Sequence, residues 1–280
     1  MSWLLLAGGA GLASNGFNVV NRTALKGQGD ATAYAWWFEL VRTAFFLAIV
    51  ASHGYLALTV EMLWPLLLVS LTELFSVYVF MKMHAYNELS ISSVISRLRV
   101  IWSPLLAWFL VGERLSVTEY IGILAIFLGI VIVTSPKEIR ADRGIKIALV
   151  FSFSSALLST VMKSASALAS TELIIIAQGI IPLLVLPFLM RQGMTRIIRS
   201  GQQKIWHIML AGSFNIASSY LLVEAMRVTD ASKAVGLYQA MTLVSVLYGI
   251  FVLQERDKLA KKIVGSLVVI GGILLMLWEM

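Results

Sequence analysis

Cysteine is absent from this chain of 280 residues, and charged residues are scarce. Without cysteine, the protein has neither disulfides nor thiolate metal sites. Charged residues make up 13% of the chain and hydrophobic residues 59%. Soluble domains have roughly 25% charged residues, so this chain cannot cover a water-facing surface. The composition therefore excludes a soluble globular protein.

The residue patterns that mark common enzymes are missing as well. The sequence holds no HExxH, no GxSxG and no Walker A glycine loop, and its histidines (His53, His84 and His207) are far apart. Catalytic and metal-ligand pairs need short fixed spacings, so the sequence predicts neither an enzyme nor a bound metal or other cofactor. The basic residues lie in short loops beside apolar segments, which indicates membrane topology and argues against nucleic-acid binding.

Long apolar segments fill the chain instead. A helix needs about 20 apolar residues to cross the hydrocarbon core of a bilayer. The segments that meet this need are 3–21, 33–52, 63–81, 90–111, 116–134, 145–162, 172–190, 205–223, 231–253 and 259–278. The predicted fold class is therefore an all-α integral membrane protein with ten transmembrane helices. We expect a multi-pass protein in the lipid bilayer of the cell (inner or plasma) membrane.

The second half of the chain repeats the first. The matching positions are Glu113-Arg114 with Glu255-Arg256, Gly122 with Gly265, and Gly129 with Gly272. Their offsets are nearly constant, at 142 (255 − 113) and 143 (265 − 122 and 272 − 129) residues. This pattern predicts a first repeat at 1–134 with helices 1 to 5, a basic linker at 135–144, and a second repeat at 145–280 with helices 6 to 10.

The number of spans fixes how the repeats relate to each other. Five spans is an odd number, so the second repeat enters the membrane in the opposite direction from the first. Inverted repeats of this kind are typical of secondary transporters that work by alternating access. Fifteen of the 22 Lys and Arg residues lie in or beside odd-numbered connections. The positive-inside rule therefore places those connections in the cytoplasm and both termini outside.

Several further stretches carry a family resemblance. They are Ala85-Tyr86 to Leu89-Ser90, Arg97, Pro104-Leu105-Leu106, Gly112-Glu113-Arg114-Leu115 and Gly122 to Gly129 in the first repeat, and Ala225 to Ala234, Glu255-Arg256 and Gly265 to Gly272 in the second. Over nearly its whole length the chain resembles the drug/metabolite transporter superfamily, and specifically its ten-helix, EamA-like members.

This resemblance implies a fold and a range of cargoes. The ten helices would form a basket, with helices 5 and 10 at the periphery and a central cavity lined by helices 1, 3, 4, 6, 8 and 9. Relatives export amino acids and other metabolites, drugs, nucleotide sugars or sugar phosphates. Family members are usually described with cytoplasmic termini, which is the opposite of the orientation that the charge distribution predicts.

Ionisable side chains inside the predicted spans are the first candidates for function, because each costs about 2.5–3.5 kcal/mol to insert. Glu73 in the third span is predicted to carry a proton or to bind a substrate amine; the alternative is an ion pair with an arginine of the second or fourth span. Arg97 in the fourth span is predicted to anchor an anionic group. Arg99 is two residues, or about 200°, further along the helix, so only one of the two should face the cavity.

Other polar positions have more than one reading. Glu39 and Arg42 are three residues apart, and we expect them to neutralise each other along one helix face. Further candidates for substrate contact, which could instead bond helices together, are Asn15, Asn18, Asn215, Tyr238 and Gln239. The repeated Glu-Arg pairs are interpreted as helix ends. The glycine-rich runs 8–11 and 271–272 are interpreted as close-packing positions.

Three functional hypotheses follow. Mid-span arginines exceed mid-span carboxylates by one, which favours an anionic or zwitterionic cargo. The leading hypothesis is a secondary active exporter of a small metabolite, such as an amino acid or another carboxylate- or phosphate-bearing solute. The first alternative is a proton-coupled exporter of cationic or lipophilic drugs, with Glu73 as the proton carrier and Tyr78, Trp102 and Tyr238 as substrate contacts. The second alternative is a lipid-headgroup flippase. The sequence predicts no oligomeric state.

Overall fold

A computed structural model describes residues 2–25, 30–53, 58–86, 97–134, 143–244, 247 and 259–278. Within these residues the chain is all-helical. The helices are α1 (Ser2–Leu25), α2 (Ala31–His53), α3 (Val60–Tyr86), α4 (Arg99–Val111), α5 (Val117–Thr134), α6 (Arg143–Ser166), α7 (Thr171–Leu189), α8 (Gly193–Val228), α9 (Ala231–Ala240) and α10 (Leu259–Leu277). Each corresponds to one predicted span, so the all-α prediction is confirmed.

Seven of the described helices are long and apolar enough to cross a membrane, namely α2, α3, α5, α6, α7, α8 and α10. Helix α1 has the required length, at 24 residues, but several asparagines make it more polar. The described helices α4 and α9 are 13 and 10 residues long. The predicted spans 90–111 and 231–253 include residues outside the described ranges. Most of the predicted linker 135–144 also lies outside the described residues, as do residues 87–90 of the first family stretch and the pair Glu255-Arg256.

One predicted connection is wrong. The predicted spans 172–190 and 205–223 leave residues 191–204 as a connection between helices, but Gly193 begins α8, which continues to Val228 with a kink at Lys204 (φ −129°, ψ 19°). The reason is tertiary packing against α2. The indole nitrogen of Trp37 donates to the carbonyl oxygen of Ile197 at 2.8 Å, and a Cβ on Gly201 would lie 2.5 Å from the Trp37 ring. These contacts order a segment too polar to span the bilayer.

Helices α5 and α10 show how the two repeats are related. Each carries a pair of glycines seven residues apart, and the two helices cross with these glycines in contact. A Cβ on Gly122 would lie 2.6 Å from the carbonyl oxygen of Gly272, and a Cβ on Gly129 would lie 2.7 Å from that of Gly265. The early glycine of one helix therefore meets the late glycine of the other. Equivalent helices run antiparallel, and the contact is isologous, as around a two-fold axis.

Candidate functional site

Two arginines at the start of α4 reach the second repeat. Arg97 donates from Nη1 to the amide oxygen of Gln239 on α9. Arg99 donates from Nη2 to Ser159 Oγ on α6 at 2.6 Å, and its guanidinium lies 5.3 Å from the centre of the Tyr238 ring. We call Arg97, Arg99, Tyr238 and Gln239 the arginine cluster. The contacts of this cluster join the start of α4 in the first repeat to α6 and α9 in the second.

The two arginines, which the sequence predicts to point about 200° apart, both contact α9. Arg99 is the first residue of α4, and Arg97 lies in the turn before it. Leu98 between them has helical dihedral angles (φ −55°, ψ −16°), and the carbonyl oxygen of Arg97 accepts a hydrogen bond from the backbone amide of Val100 at 2.9 Å. Arg97 and Arg99 nevertheless contact consecutive residues of α9, Gln239 and Tyr238.

The contact between Arg97 and Gln239 joins equivalent positions of the two repeats. The two residues are 142 positions apart, which is the same offset that separates Glu113 from Glu255. They are therefore equivalent positions in the two repeats. A contact between equivalent positions of two symmetry-related units lies on the axis that relates them. The arginine cluster accordingly sits on the pseudo-two-fold axis between the halves.

Helix α1 closes one side of the arginine cluster. Tyr238 donates from its hydroxyl to Ser14 Oγ at 2.7 Å, and Asn15 donates from Nδ2 to the carbonyl oxygen of Met241 at 2.6 Å. Gly11 allows α1 and α9 to approach this closely, because a Cβ there would lie 2.5 Å from the carbonyl oxygen of Tyr238. This confirms the interpretation of the first glycine-rich run as a close-packing position.

A second group of buried charges lies on α2 and α3. Glu39, Arg42 and Glu73 are exposed by only 1%, 2% and 6%. One nitrogen of Arg42, Nη2, contacts Glu39 Oε2 and also lies 3.4 Å from Glu73 Oε1. We call these three residues the carboxylate cluster. The predicted pair between Glu39 and Arg42 is present, and the arginine that pairs with Glu73 belongs to the second span.

Two other helices pack against the carboxylate cluster. On α8, Ser219 lies 3.5 Å from Arg42 Nη1 and donates to Asn215 Oδ1 at 3.4 Å. On the other side, α2 packs closely against α7 at Gly179, where a Cβ would lie 1.9 Å from Thr43 Oγ1 and 3.5 Å from Glu39 Oε2. The cluster is therefore enclosed on both sides by packed helices.

The buried charges are thus divided into two groups of opposite sign. With all groups ionised, the carboxylate cluster carries two negative charges and one positive charge, and the arginine cluster carries two positive charges. Glu73 is close enough to Arg99 to interact with it electrostatically, but the two do not form an ion pair. The candidate site is therefore bipolar: an excess of negative charge on α2 and α3 faces an excess of positive charge at the start of α4.

The even-numbered connections are tied together by a separate set of contacts. The carboxylate of Glu113 accepts hydrogen bonds from the backbone amides of Ala231 and Ser232 (2.6 and 3.2 Å) and from the Ser232 hydroxyl (2.8 Å). Lys233 pairs with Glu119 at 2.6 Å and with Asp230 at 3.0 Å. Glu113 thus caps the first turn of α9 in the other repeat. This agrees with the interpretation of the Glu-Arg pair as a structural end of a helix.

The predicted substrate contacts fall into both groups. Arg97, Tyr238, Gln239 and Asn15 lie at or beside the arginine cluster, whereas Glu73 and Asn215 lie at the carboxylate cluster. Asn18 is exposed on α1, three residues after Asn15. Ser159 was a sequence candidate, together with Ser152, Ser154 and Ser155 of the sixth span, for substrate contact or for bonding helices together. Sequence reasoning did not identify Ser14 or Thr43 as neighbours of the site. Their residue types carry no signal, since buried hydroxyls more often bond to the preceding helical turn.

A surface cleft lies elsewhere in the protein. It is lined by Thr32, Tyr78, Lys82, Leu186, Leu189, Met190, Arg191 and Arg196. It shares no residue with either cluster, although it contains Tyr78, which was predicted to hold a drug-like cargo. The Lys82 amine lies over the Tyr78 ring at 4.5 Å, so a cation of this protein already occupies one face of that ring.

Comparison with known proteins agrees with this architecture. The EamA-like transporter family matches residues 1–135 and 142–278. A solved crystal structure of a protein superposes with a TM-score of 0.73 at 15% identity, covering 100% of this chain and 99% of that chain. At this identity the likeness establishes the fold alone. No curated protein matches the sequence significantly. The protein is an integral membrane protein of two inverted five-helix repeats and belongs to the EamA-like transporter family of the drug/metabolite transporter superfamily.

Proposed function

We propose that this transporter exports a small solute carrying a carboxylate or phosphate group, and that Arg97 and Arg99 bind that group. The observation that supports this proposal is the composition of the arginine cluster. Both guanidinium groups donate hydrogen bonds to neutral side chains of the described residues: Arg97 to Gln239 and Arg99 to Ser159. In the described part of the chain neither forms an ion pair. A carboxylate or phosphate supplies the missing negative charge, with a geometry that a guanidinium can bind at two points.

The carboxylate cluster extends this proposal to zwitterions. Glu73 belongs to the negative group, and its charge reaches Arg99. An amino acid placed between the clusters has its carboxylate toward the arginines and its ammonium group toward Glu73. Asn15, Asn18, Asn215, Tyr238 and Gln239 are proposed to position it through hydrogen bonds. Both ends of the cargo then meet charge of opposite sign.

The position of the arginine cluster supports alternating access as the mechanism. Its contacts join α4 of the first repeat to α6 and α9 of the second. A cargo that replaces Gln239 as the partner of Arg97 separates the two repeats at their pseudo-two-fold axis. Exchange of conformations between inverted repeats then exposes the same groups to the opposite side of the membrane.

A second candidate is a proton-coupled exporter of cationic compounds. The excess of negative charge at Glu39, Arg42 and Glu73 favours it, because a buried carboxylate pair attracts a cation. In that case Glu73 binds the cargo and Arg97 is dispensable. The two candidates therefore differ in which cluster a ligand needs.

A thermal-stability screen of the purified protein distinguishes them. The compounds are amino acids, phosphorylated metabolites and lipophilic cations. A ligand present at 100 times its dissociation constant stabilises the native state by about 2.7 kcal/mol, which shifts the melting temperature measurably. The proposal expects stabilisation by an acidic or zwitterionic compound, and loss of that stabilisation in Arg97→Ala.

The matched control is Arg114→Ala, which removes an exposed arginine from the α4–α5 connection. This variant is expected to respond to the ligand as the wild type does. Stabilisation by cations alone, retained in Arg97→Ala and lost in Glu73→Gln, would replace the proposal with the second candidate. An acidic ligand that stabilises wild type and Arg97→Ala equally would remove the assigned role of Arg97.

A further inference from the structure

We infer that Glu39 and Glu73 together bind one exchangeable proton within the membrane, and that a cation reaching the pair displaces it. Both carboxylates contact the same guanidinium nitrogen, Arg42 Nη2. Only Glu73 was a candidate on sequence grounds, and Glu39 had been interpreted as a simple structural partner of Arg42. The geometry makes the two carboxylates a single site.

The charges of the three buried residues Glu39, Arg42 and Glu73 do not balance when all are ionised. The three residues are exposed by 6% or less. One guanidinium neutralises one carboxylate, so two ionised carboxylates leave a net negative charge out of contact with water. Buried uncompensated charge is costly, and such groups neutralise by taking up a proton. Two carboxylates at one cation therefore hold one proton between them, as a coupled pair.

Among the described residues, the neighbouring helices offer no second cation in contact with the pair. Helix α2 packs against α3, α7 and α8. Around the cluster, α8 supplies Ser219 and α7 supplies Gly179. The nearest further charge is that of Arg99, which interacts with Glu73 electrostatically. Arg99 bonds instead to Ser159 and makes no ion pair with either carboxylate in the described part of the chain.

Unsatisfied polar atoms at the same place are an independent observation. Glu39 Oε1 and Thr43 Oγ1 are buried, and among the described residues neither has a hydrogen-bond partner. Thr43 is exposed by 2%, and its hydroxyl and Glu39 Oε2 both lie against Gly179. An ionised carboxylate oxygen that is buried without a hydrogen-bond donor is unfavourable. Protonation removes this cost, because the carboxylic acid is neutral and its O–H can donate to a neighbouring oxygen. The pair is therefore built to accept a proton.

Displacement of the proton by a cation follows from the same charge balance. A cation that contacts the pair supplies the second positive charge, so the proton is no longer needed and leaves to water. This step rests on the proposed function, since it makes the proton the ion that is exchanged for the amine of an exported solute. The binding of the proton itself does not depend on any cargo.

Infrared spectroscopy of the purified protein at neutral pH tests the proton site directly. A protonated carboxyl group has a carbonyl stretching band that an ionised carboxylate lacks. We expect this band in wild type and its loss in both Glu39→Gln and Glu73→Gln. Either substitution leaves one carboxylate with one guanidinium, a neutral pair without need of a proton. Glutamine is nearly isosteric with the protonated acid, so both variants are expected to fold.

The matched control is Glu61→Gln, which changes an exposed carboxylate on the same helix as Glu73. This variant is expected to keep the band. Absence of the band in wild type would overturn the proton site. Persistence of the band in one of the two single variants would overturn the sharing of one proton by both carboxylates.

A titration with methylammonium tests exchange separately. The expected result is a progressive loss of the band in wild type and no change in a sample titrated with sodium chloride at the same ionic strength. A band that persists at saturating methylammonium would overturn the exchange while leaving the proton site in place. Failure of the proposed function appears instead as a ligand response independent of Arg97, so the two failures are distinguishable.

Discussion

Asp30 holds the start of α2 and the start of α8 together. Its Oδ1 accepts a hydrogen bond from the backbone amide of Ala33 at 3.1 Å, as an N-cap does. Arg196 donates to both of its carboxylate oxygens, at 2.6 and 2.8 Å. Partial burial raises the pKa of Asp30, but the hydrogen bonds from Arg196 and Ala33 outweigh it and hold the pKa below its usual value of 3.8.

The pH dependence of this contact gives a first prediction. A carboxyl group whose pKa is lowered by folding stabilises the native state above its unfolded pKa, and that contribution is lost as the pH falls through the folded pKa. Asp30→Asn keeps a capping oxygen but removes the charge. We expect it to unfold at a lower temperature than wild type at pH 7, and the difference to shrink as the pH falls below about 4.

Thermal unfolding of the two purified proteins across this pH range is the measurement. Asp30→Ala, which also removes the cap, should lose about 1 kcal/mol more than Asp30→Asn. A difference between wild type and Asp30→Asn that is the same at pH 7 and pH 3 would show that the charge of Asp30 contributes nothing.

At the scale of elements, the pair α5–α10 depends on glycine. The two helices approach so closely that backbone atoms of one helix occupy the space where a side chain on the other would lie. A Cβ on Gly272 would lie 2.6 Å from the carbonyl oxygen of Gly122 and 2.8 Å from the amide nitrogen of Ile126. Small residues that let helix backbones touch are a main source of helix association in membranes, where lipid removes the hydrophobic driving force.

The neighbouring glycine supplies a matched comparison. Gly272→Ala should destabilise the protein by about 1–3 kcal/mol, because the backbone atoms it meets cannot move independently. For Gly271→Ala we expect no loss, and a gain of up to about 1 kcal/mol from helix propensity, since a Cβ there would meet no described atom within 4 Å. Melting temperatures of the two variants provide the test. Equal effects would mean that α5 and α10 do not pack as described.

At the scale of the whole molecule, symmetry predicts which distances change during transport. If the two repeats exchange conformations, each contact is replaced by the contact between the equivalent residues of the other repeat. A pair of equivalent residues maps onto itself, so its distance is unchanged. A pair of non-equivalent residues maps onto a different pair, so its distance changes when the two repeats differ in conformation.

Spin labels make this prediction measurable, and the cysteine-free chain gives a clean background. Leu124 and Leu267 are exposed and equivalent, at an offset of 143 (267 − 124). Labels at Leu124→Cys and Leu267→Cys should keep one distance with and without ligand. Labels at Arg114→Cys and Val228→Cys, on the even-numbered connections, should show a ligand-dependent change. A ligand-dependent shift in the first pair, or none in the second, would contradict exchange between the repeats.

The sequence by itself determined the membrane class, the ten helical segments and the inverted repeat. These follow from local apolar runs and from a constant offset, which do not depend on how helices pack. It also predicted the pair between Glu39 and Arg42, because residues three apart on a helix are neighbours. The predicted connection at 191–204 was wrong because its order comes from contacts with α2.

Only the tertiary structure decided which buried charges meet. Arg42, rather than an arginine of the fourth span, pairs with Glu73, and both Arg97 and Arg99 contact α9. Helical periodicity gives the direction of a side chain around its own helix but not the rotation and depth of the neighbouring helix. The division of the site into a carboxylate cluster and an arginine cluster depends on those relations between helices.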